Sequence, residues 1–308
     1  MKIIEKLGVD ANVGTEINIV EVGPRDGFQS VHDWIPTQTK QAIIEAMLAS
    51  GLKRIQLTSF VSPKAVPQMR DNAELCAALV PRYGVDAQFS ALVPNMHGAE
   101  KAIECGINEL SYVLSASETH NRANTRRSIS ESLQDLKTIR DKWPHIVLNM
   151  DLAMTFGCPF EGEIPYYQVE SLVGEACEIG ADTVNLCDTS GLAVPTQVED
   201  IVCRLTDRYP DMEFHIHIHD TRNMGILNTY IALKCGIRTL QTSLGGLGGC
   251  PFAPGATGNT ATEDIIYMLD RIGWNTNVNF AELMKAARLL KESVCGNYSG
   301  HQIDIYKK

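Results

Sequence analysis

The sequence predicts an α/β protein built as a (β/α)8 barrel, the TIM barrel, with an additional C-terminal helix. Three observations carry this. Short β-rich runs alternate with helical patterns almost from end to end. No GxGxxG follows the first strand, as it would in an open dinucleotide-binding sheet. No linker or break in composition divides the 308 residues, a length that suits one barrel. The expected organisation is a single catalytic domain over 1–308, with a barrel core at about 17–275 and a helical extension at 276–308.

The strand candidates are INIVEVG (17–23), RIQLTSF (54–60), DAQFSALV (86–93), ELSYVLSA (109–116), IVLNMDLAM (146–154), DTVNLCDT (182–189), EFHIHIHD (213–220) and TLQTSLGGL (239–247). Helical patterns lie between them, from TQTKQAIIEAMLAS after the first strand to MGILNTYIALKCG before the eighth; the pattern near 73–80 is the weakest. Several end in glycine where a helix C-terminus favours one: Gly51, Gly106, Gly180 and Gly236. FAELMKAARLLKESV (280–294) extends beyond the eighth unit.

Apolar residues make up 44%, enough for a sizeable core, and the net charge of −10 with a pI of about 5.3 excludes a basic nucleic-acid footprint. Nine cysteines, an odd count at wide spacing with no CxxC, argue against a disulfide framework or zinc ribbon. Free thiols in a reducing cytosol are the expectation. With no secretory signal and no apolar run of transmembrane length, the chain is expected to be cytoplasmic, with no membrane partner.

In a barrel of this kind the functional residues sit at the C-terminal ends of the strands. Polar residues gather there: Arg25 and Asp26 after strand one, Thr58 and Ser59 in strand two, Ser115 to Glu118 after strand four, Asp188 after strand six, and His217 to Asp220 at the end of strand seven. Strand seven places His215, His217 and His219 on one face by its period of two. They are either satisfied core histidines or, two of them, ligands to a metal. After strand eight, GGLGGCPFAPGATGN reads as a sharply bending loop with exposed backbone.

EVGPRDGFQ (21–29), TSFVSPKAVPQM (58–69), SASE (115–118), GCPFEG (157–162), CDTSG (187–191), HIHD (217–220) and GGLGGCPFAPGATGNTATED (245–264) resemble the corresponding segments of 3-hydroxy-3-methylglutaryl-CoA lyases, over roughly residues 17–295. The resemblance implies a divalent cation, Mg2+ or Mn2+, held by Asp26, His217, His219 and Asn259, with His215 left as a core or supporting residue. It implies retro-Claisen cleavage of 3-hydroxy-3-methylglutaryl-CoA to acetyl-CoA and acetoacetate. Arg25 would stabilise the enolate, Cys250 would act as general acid, and His217 or a neighbour would take the hydroxyl proton. Glu21, Asp188 and Asp220 could orient these groups. Arg122 and Arg126 in NRANTRRS (121–128), with Lys64, are candidates for the nucleotide end of coenzyme A, NRANTRRS reading equally as a solvated loop before a helix capped at Ser128 or Ser130. The expected partners are an acyl-CoA and further copies of the chain in a homo-oligomer.

The sequence departs from the family pattern at the expected mouth of the site. Gln56 stands where the family carries a catalytically important glutamate, Arg222 where it carries tyrosine, Phe28 to Val31 replace L-Q-N-E, and the aromatic after SASE is replaced near His120. If Gln56 and Arg222 both face the site, its charge rises by about two units, which would favour a related substrate such as (R)-citramalyl-CoA or a longer branched 3-hydroxyglutaryl-CoA. A condensing acyltransferase and an inactive metal-binding barrel are the remaining readings.

Overall fold

The computed structural model describes residues 14–249 and 258–306. Eight parallel strands close in sequence order: β1 (Asn18–Glu21), β2 (Arg54–Ser59), β3 (Gln88–Val93), β4 (Glu109–Ser115), β5 (Val147–Ala153), β6 (Thr183–Asp188), β7 (Glu213–Ile218) and β8 (Thr239–Thr242). β8 pairs back to β1 through Asn18↔Thr239 to Glu21↔Thr242. Around them stand α1 (Thr37–Ala49), α2 (Asn72–Tyr83), α3 (Met96–Glu104), α4 (Glu118–Thr125), α5 (Ile129–Lys142), α6 (Tyr166–Ile179), α7 (Pro195–Arg208), α8 (Gly225–Lys234) and α9 (Thr262–Ile272). The C-terminal helices are α10 (Phe280–Ser293), which packs on α1, and α11 (Gln302–Ile305). Among the described residues no helix is long and apolar enough to cross a membrane.

The alternation within strands sorts the side chains. On β5, Leu148, Met150 and Leu152 are fully buried toward the helices, while Asn149, Asp151 and Ala153 take the other face. On β7, Phe214, Ile216 and Ile218 go outward and His215 and His217 inward. Each outward Leu or Ile contributes about 1.5–3 kcal/mol by leaving water. The inward face carries polar residues, and several find partners on the neighbouring strand. Thr239 Oγ1 donates to Glu213 Oε1 at 3.1 Å, Asn149 Nδ2 donates to Glu109 Oε1 at 2.9 Å, and Thr183 Oγ1 donates to Asn149 Oδ1 at 2.8 Å.

Three expectations need correction. Strand eight stops at Thr242 rather than running to 247, because Ser243–Leu247 turns through a short 3-10 segment with Gly245 at φ +71°. The stretch before Ser128 is not all loop. Ser117 caps α4 by accepting from His120 N at 3.1 Å, and the helix ends at Arg126 in the left-handed region; Ser128 then starts α5 in a capping box with Glu131. The cysteines are not all free: Cys203 of α7 and Cys235, which follows α8, are joined, with Cα atoms 4.9 Å apart. A separation of 32 residues, from within one helix to the end of the next, leaves no local sign of that pair.

Candidate metal centre at the mouth of the barrel

The segment after β1 is the first part of the site. Pro24 opens one turn of π-helix over Gly23–Gly27, and the Val22 carbonyl accepts from Arg25 N at 3.0 Å and Asp26 N at 2.7 Å. The wide turn holds Arg25 and Asp26 buried at the mouth. Glu21 fixes it in place. Its Oε1 accepts from Gly23 N at 2.7 Å and Leu244 N at 2.9 Å, and its Oε2 from Thr262 Oγ1 at 2.6 Å. One carboxyl thus ties the turns after β1 and β8 to the start of α9. Burial pushes it up to about 7, against those three donors.

The second part continues β7. His219 N donates to Asp188 O at 3.3 Å, while Thr260 N donates to Ile218 O and Asp220 N to Gly258 O, both at 3.1 Å. This pairing carries Asn259 alongside His219. Asn259 Nδ2 donates to Asp26 Oδ2 at 2.7 Å and to Leu247 O at 3.2 Å. The His217 and His219 ring centroids are 5.0 Å apart, and His219 Nε2 is 3.9 Å from Asp26 Oδ2. One ligand atom each from Asp26, His217 and His219 fall within 4.8 Å of one another.

Hydrogen bonding identifies what this cluster suits. His217 Nδ1, His219 Nδ1 and Asn259 Oδ1 are buried without a hydrogen-bond partner. Such groups are costly unless something bonds them. Burial pushes Asp26 up, but Arg25, His219 and His217 with the Asn259 amide outweigh it and hold it at about 2. Burial, reinforced by His219 and Arg25, pushes His217 down to about 3, and burial lowers His219 as well. An ionised carboxylate, two neutral imidazoles and an amide oxygen form a mixed O/N donor set that fits a hard or borderline divalent cation.

Arg25 joins the cluster to the barrel interior. Its Nη1 donates to Asp26 Oδ1 and its Nε to Gln56 Oε1, while Gln56 Nε2 donates to Ser111 Oγ at 2.9 Å. Above the cluster opens a cavity of about 200 Å³ lined by Arg25, Asp26, His219, His120, Asn124 and Thr189. His120 Nδ1 lies 3.0 Å from Ser115 Oγ, and burial pushes its ring down to about 4.

The other sequence-derived candidates are placed as follows. His215 Nε2 pairs with Glu213 Oε1 at 2.9 Å, deep in the barrel and apart from the mouth. Arg222 is exposed, donating to Gly191 O at 2.7 Å and Ser190 O at 3.3 Å, and it does not line the cavity. The two-unit rise in site charge loses half its basis there. Asp188 accepts from Leu192 N at 2.8 Å and Ala193 N at 3.1 Å, so it shapes the loop after β6. Asp220 accepts from Gly225 N at 2.6 Å, at the start of α8. Arg122 pairs with Glu118 at 2.7 Å; Arg126 and Lys64 are exposed after β4 and β2, on the same face of the barrel as the cavity. Cys250 lies outside the described residues. Sequence reasoning did not single out Asp151 and Asn185, which hydrogen bond to each other at 3.2 Å; their signal was a polar residue at consecutive inward positions, Asn149 and Asp151 on strand five and Thr183 and Asn185 on strand six.

The profile of the HMGL-like family matches residues 16–290. A Bacillus subtilis hydroxymethylglutaryl-CoA lyase is 41% identical over 95% of this chain and 98% of its own. An (R)-citramalyl-CoA lyase of Chloroflexus aurantiacus is 37% identical over 90% of this chain and 91% of its own. A crystal structure of the B. subtilis HMG-CoA lyase superposes with a TM-score of 0.91 at 40% identity, covering 96% of this chain and 99% of that one. An Acinetobacter baumannii HMG-CoA lyase, solved in complex with coenzyme A and 3-methylmalate, gives 0.90 at 38% identity, covering 95% and 96%.

Proposed function

We propose the reaction from one premise: the chain belongs to the HMGL-like family. It is a carbon–carbon lyase. Its reaction is the cleavage of 3-hydroxy-3-methylglutaryl-CoA to acetyl-CoA and acetoacetate. The observation that carries this is the set of buried, unpartnered ligand atoms on His217, His219 and Asn259 beside an ionised Asp26, at the mouth of the barrel. The cation fits Mg2+ or Mn2+, and when bound it would polarise a substrate oxygen and ease loss of the hydroxyl proton.

The chain's own groups account for the rest. His217, neutral at physiological pH, serves as a ligand, which commits its lone pair, so a neighbouring group takes the hydroxyl proton. As that proton leaves, C3 becomes the ketone of acetoacetate, and the C2–C3 bond breaks with its electron pair going to C2. Arg25 presents fixed donors and charge to the enolate oxygen of the departing acetyl-CoA. Gln56 holds the Arg25 guanidinium in orientation by accepting from its Nε. Cys250, in the glycine-flanked loop after β8, protonates the enolate carbon. Lys64, Arg122 and Arg126 are the cations offered to coenzyme A phosphates, all on loops or a helix that follow strand C-termini. A cytoplasmic homo-oligomer remains the proposed context.

A second reading keeps the chemistry and takes (R)-citramalyl-CoA, favoured by the similarity to a lyase of that name. The test is turnover on both acyl-CoAs after chelation and after return of Mg2+ or Mn2+, in wild type and Cys250→Ala. Activity should vanish with chelator, return with metal, and fall in Cys250→Ala by about 10²-fold or more in kcat with metal affinity unchanged. The preferred substrate is the one with the higher kcat/KM. Full activity in chelator, or an undiminished Cys250→Ala, would refute the scheme.

A further inference from the structure

The bond between Cys203 and Cys235 closes a covalent ring, and the ring contains the strand that carries two of the proposed metal ligands. Residues 204–234 lie between the two cysteines; they include the end of α7, all of β7, His217 and His219, and all of α8. The same two βα units are also tied by hydrogen bonds at the mouth. Asn228 Nδ2 donates to Ala193 O at 2.9 Å, Arg222 Nη1 donates to Gly191 O at 2.7 Å, and His219 N donates to Asp188 O at 3.3 Å. The cysteines join the units a second time, toward the far end of the helices, where Cys235 is the C-cap of α8.

Two observations indicate that this bond can open without loss of the fold. The helices are held in place independently of it. Val198, Ile201, Val202 and Leu205 of α7 and Ala232 and Leu233 of α8 are buried. Beside the bond, Thr206 Oγ1 shares its proton among Val202 O and Cys203 O, both at 3.0 Å, and Cys235 O at 3.2 Å. The second observation is access. Both cysteines are only half-buried, whereas the free thiols of Cys76, Cys158 and Cys187 are buried. An accessible disulfide exchanges with small thiols, because exchange requires a thiolate to reach a sulfur.

We infer that Cys203 and Cys235 form a reversible thiol–disulfide site, closed by a low-molecular-weight disulfide such as oxidised glutathione, and that closure stabilises the fold around the strand of His217 and His219. The thiolate of one cysteine attacks a sulfur of the small disulfide, releasing one small thiol and leaving a mixed disulfide. The thiolate of the other cysteine attacks the protein sulfur of that mixed bond and releases the second small thiol. Two protons and two electrons leave the protein, and the small disulfide takes them up as two thiols. Excess small thiol runs the exchange backwards. The stabilisation comes from the ring: it restricts the unfolded chain and leaves the folded one as it was.

The test uses the full chain in chelator. Wild type is equilibrated in glutathione buffers from fully reduced to fully oxidised, thiols are trapped by alkylation, and peptide mass spectrometry reads the Cys203–Cys235 bond. Thermal melting is followed on parallel samples and on Cys203→Ser and Cys235→Ser. The bond should pass from open to closed along the series and reopen when the buffer is reversed. Closed protein should melt about 5 °C higher than open protein, and its β7 amides should exchange with solvent roughly tenfold or more slowly. Each serine variant should melt as open wild type does, whatever the buffer. A bond that stays closed in reduced glutathione, or never closes in oxidised glutathione, overturns the proposal. So does a wild type whose melting point does not follow the bond. Should a serine variant not fold, wild type decides the matter alone: unfolding once its bond is opened refutes a reversible site. No step of this test uses turnover, so its outcome is independent of the lyase reading.

Discussion

Strand β7 carries the same residue type to two depths of one barrel, and the two depths behave differently. At the deep end His215 pairs with Glu213, whose carboxylate also accepts from Thr239. At the mouth His217 and His219 keep a ring nitrogen buried and unpartnered, and Asn259 does the same with its side-chain oxygen. Both sets are buried to a similar degree. Burial therefore does not separate His215 from the proposed ligands His217 and His219; the state of their hydrogen bonds does. A satisfied group contributes to folding, and an orphaned one costs free energy that a ligand can offset.

The sharpest way to break this contrast is to truncate a histidine at the mouth. His217→Ala should abolish measurable Mn2+ binding and lower turnover beyond the ~10–100-fold typical of losing a group that merely supports a metal ligand. Calorimetry and steady-state kinetics check this, and a variant that binds Mn2+ normally would erase the distinction between mouth and depth.

Glu21 tests the mouth as a scaffold. Its folded pKa of about 7 lies above the ordinary 4.5, so its contribution to stability is fully present below about pH 4.5 and is lost as pH rises through 7. The shift of about 2.5 units corresponds to at most about 3 kcal/mol. The buried histidines act with the opposite sign, losing stability as pH falls below about 6.5. The difference between wild type and Glu21→Gln isolates the carboxyl: urea midpoints should converge as pH rises from 5 to 8. Parallel curves would contradict the shift.

The smallest effect belongs to the deep end. His215→Gln should cost about 0.5–1.5 kcal/mol by removing the bond to the half-exposed Glu213 carboxylate, while kcat and Mn2+ affinity stay near wild type. Chemical denaturation alongside the metal titration checks it, and a variant that folds normally yet loses Mn2+ would place His215 with the mouth.

The barrel was legible because its signals are local. Each strand announced itself by alternation or a β-rich run, and Gly51, Gly106, Gly180 and Gly236 all adopt positive φ at helix ends. The Asp26, His217, His219 and Asn259 grouping was legible only through motif resemblance, because those residues are brought together by closure of β1 against β8 and by the pairing of Asn259 with His219. What escaped was non-local or conformational. α4 is short and polar, and its capping serine, Ser117, sits in SASE, which read only as a polar segment after strand four. Arg222 could not be aimed from sequence, since the carbonyls it bonds lie 31 and 32 residues away.

The glycines around Asn259 have a consequence for how such a chain can diversify. A Cβ at Gly258 would fall 1.8 Å from the Gly246 carbonyl oxygen, and one at Gly248 would fall 2.5 Å from Asn259 Nδ2. The backbone leaving β8 and the backbone returning to α9 are thus pressed together at a neck too narrow for any side chain. A side chain at Gly258 would displace the Gly246 carbonyl, and one at Gly248 would displace the Asn259 amide. Diversification of such a chain must leave this neck intact, since alanine at 258 would disturb the placement of Asn259 whichever acyl group a relative had come to accept.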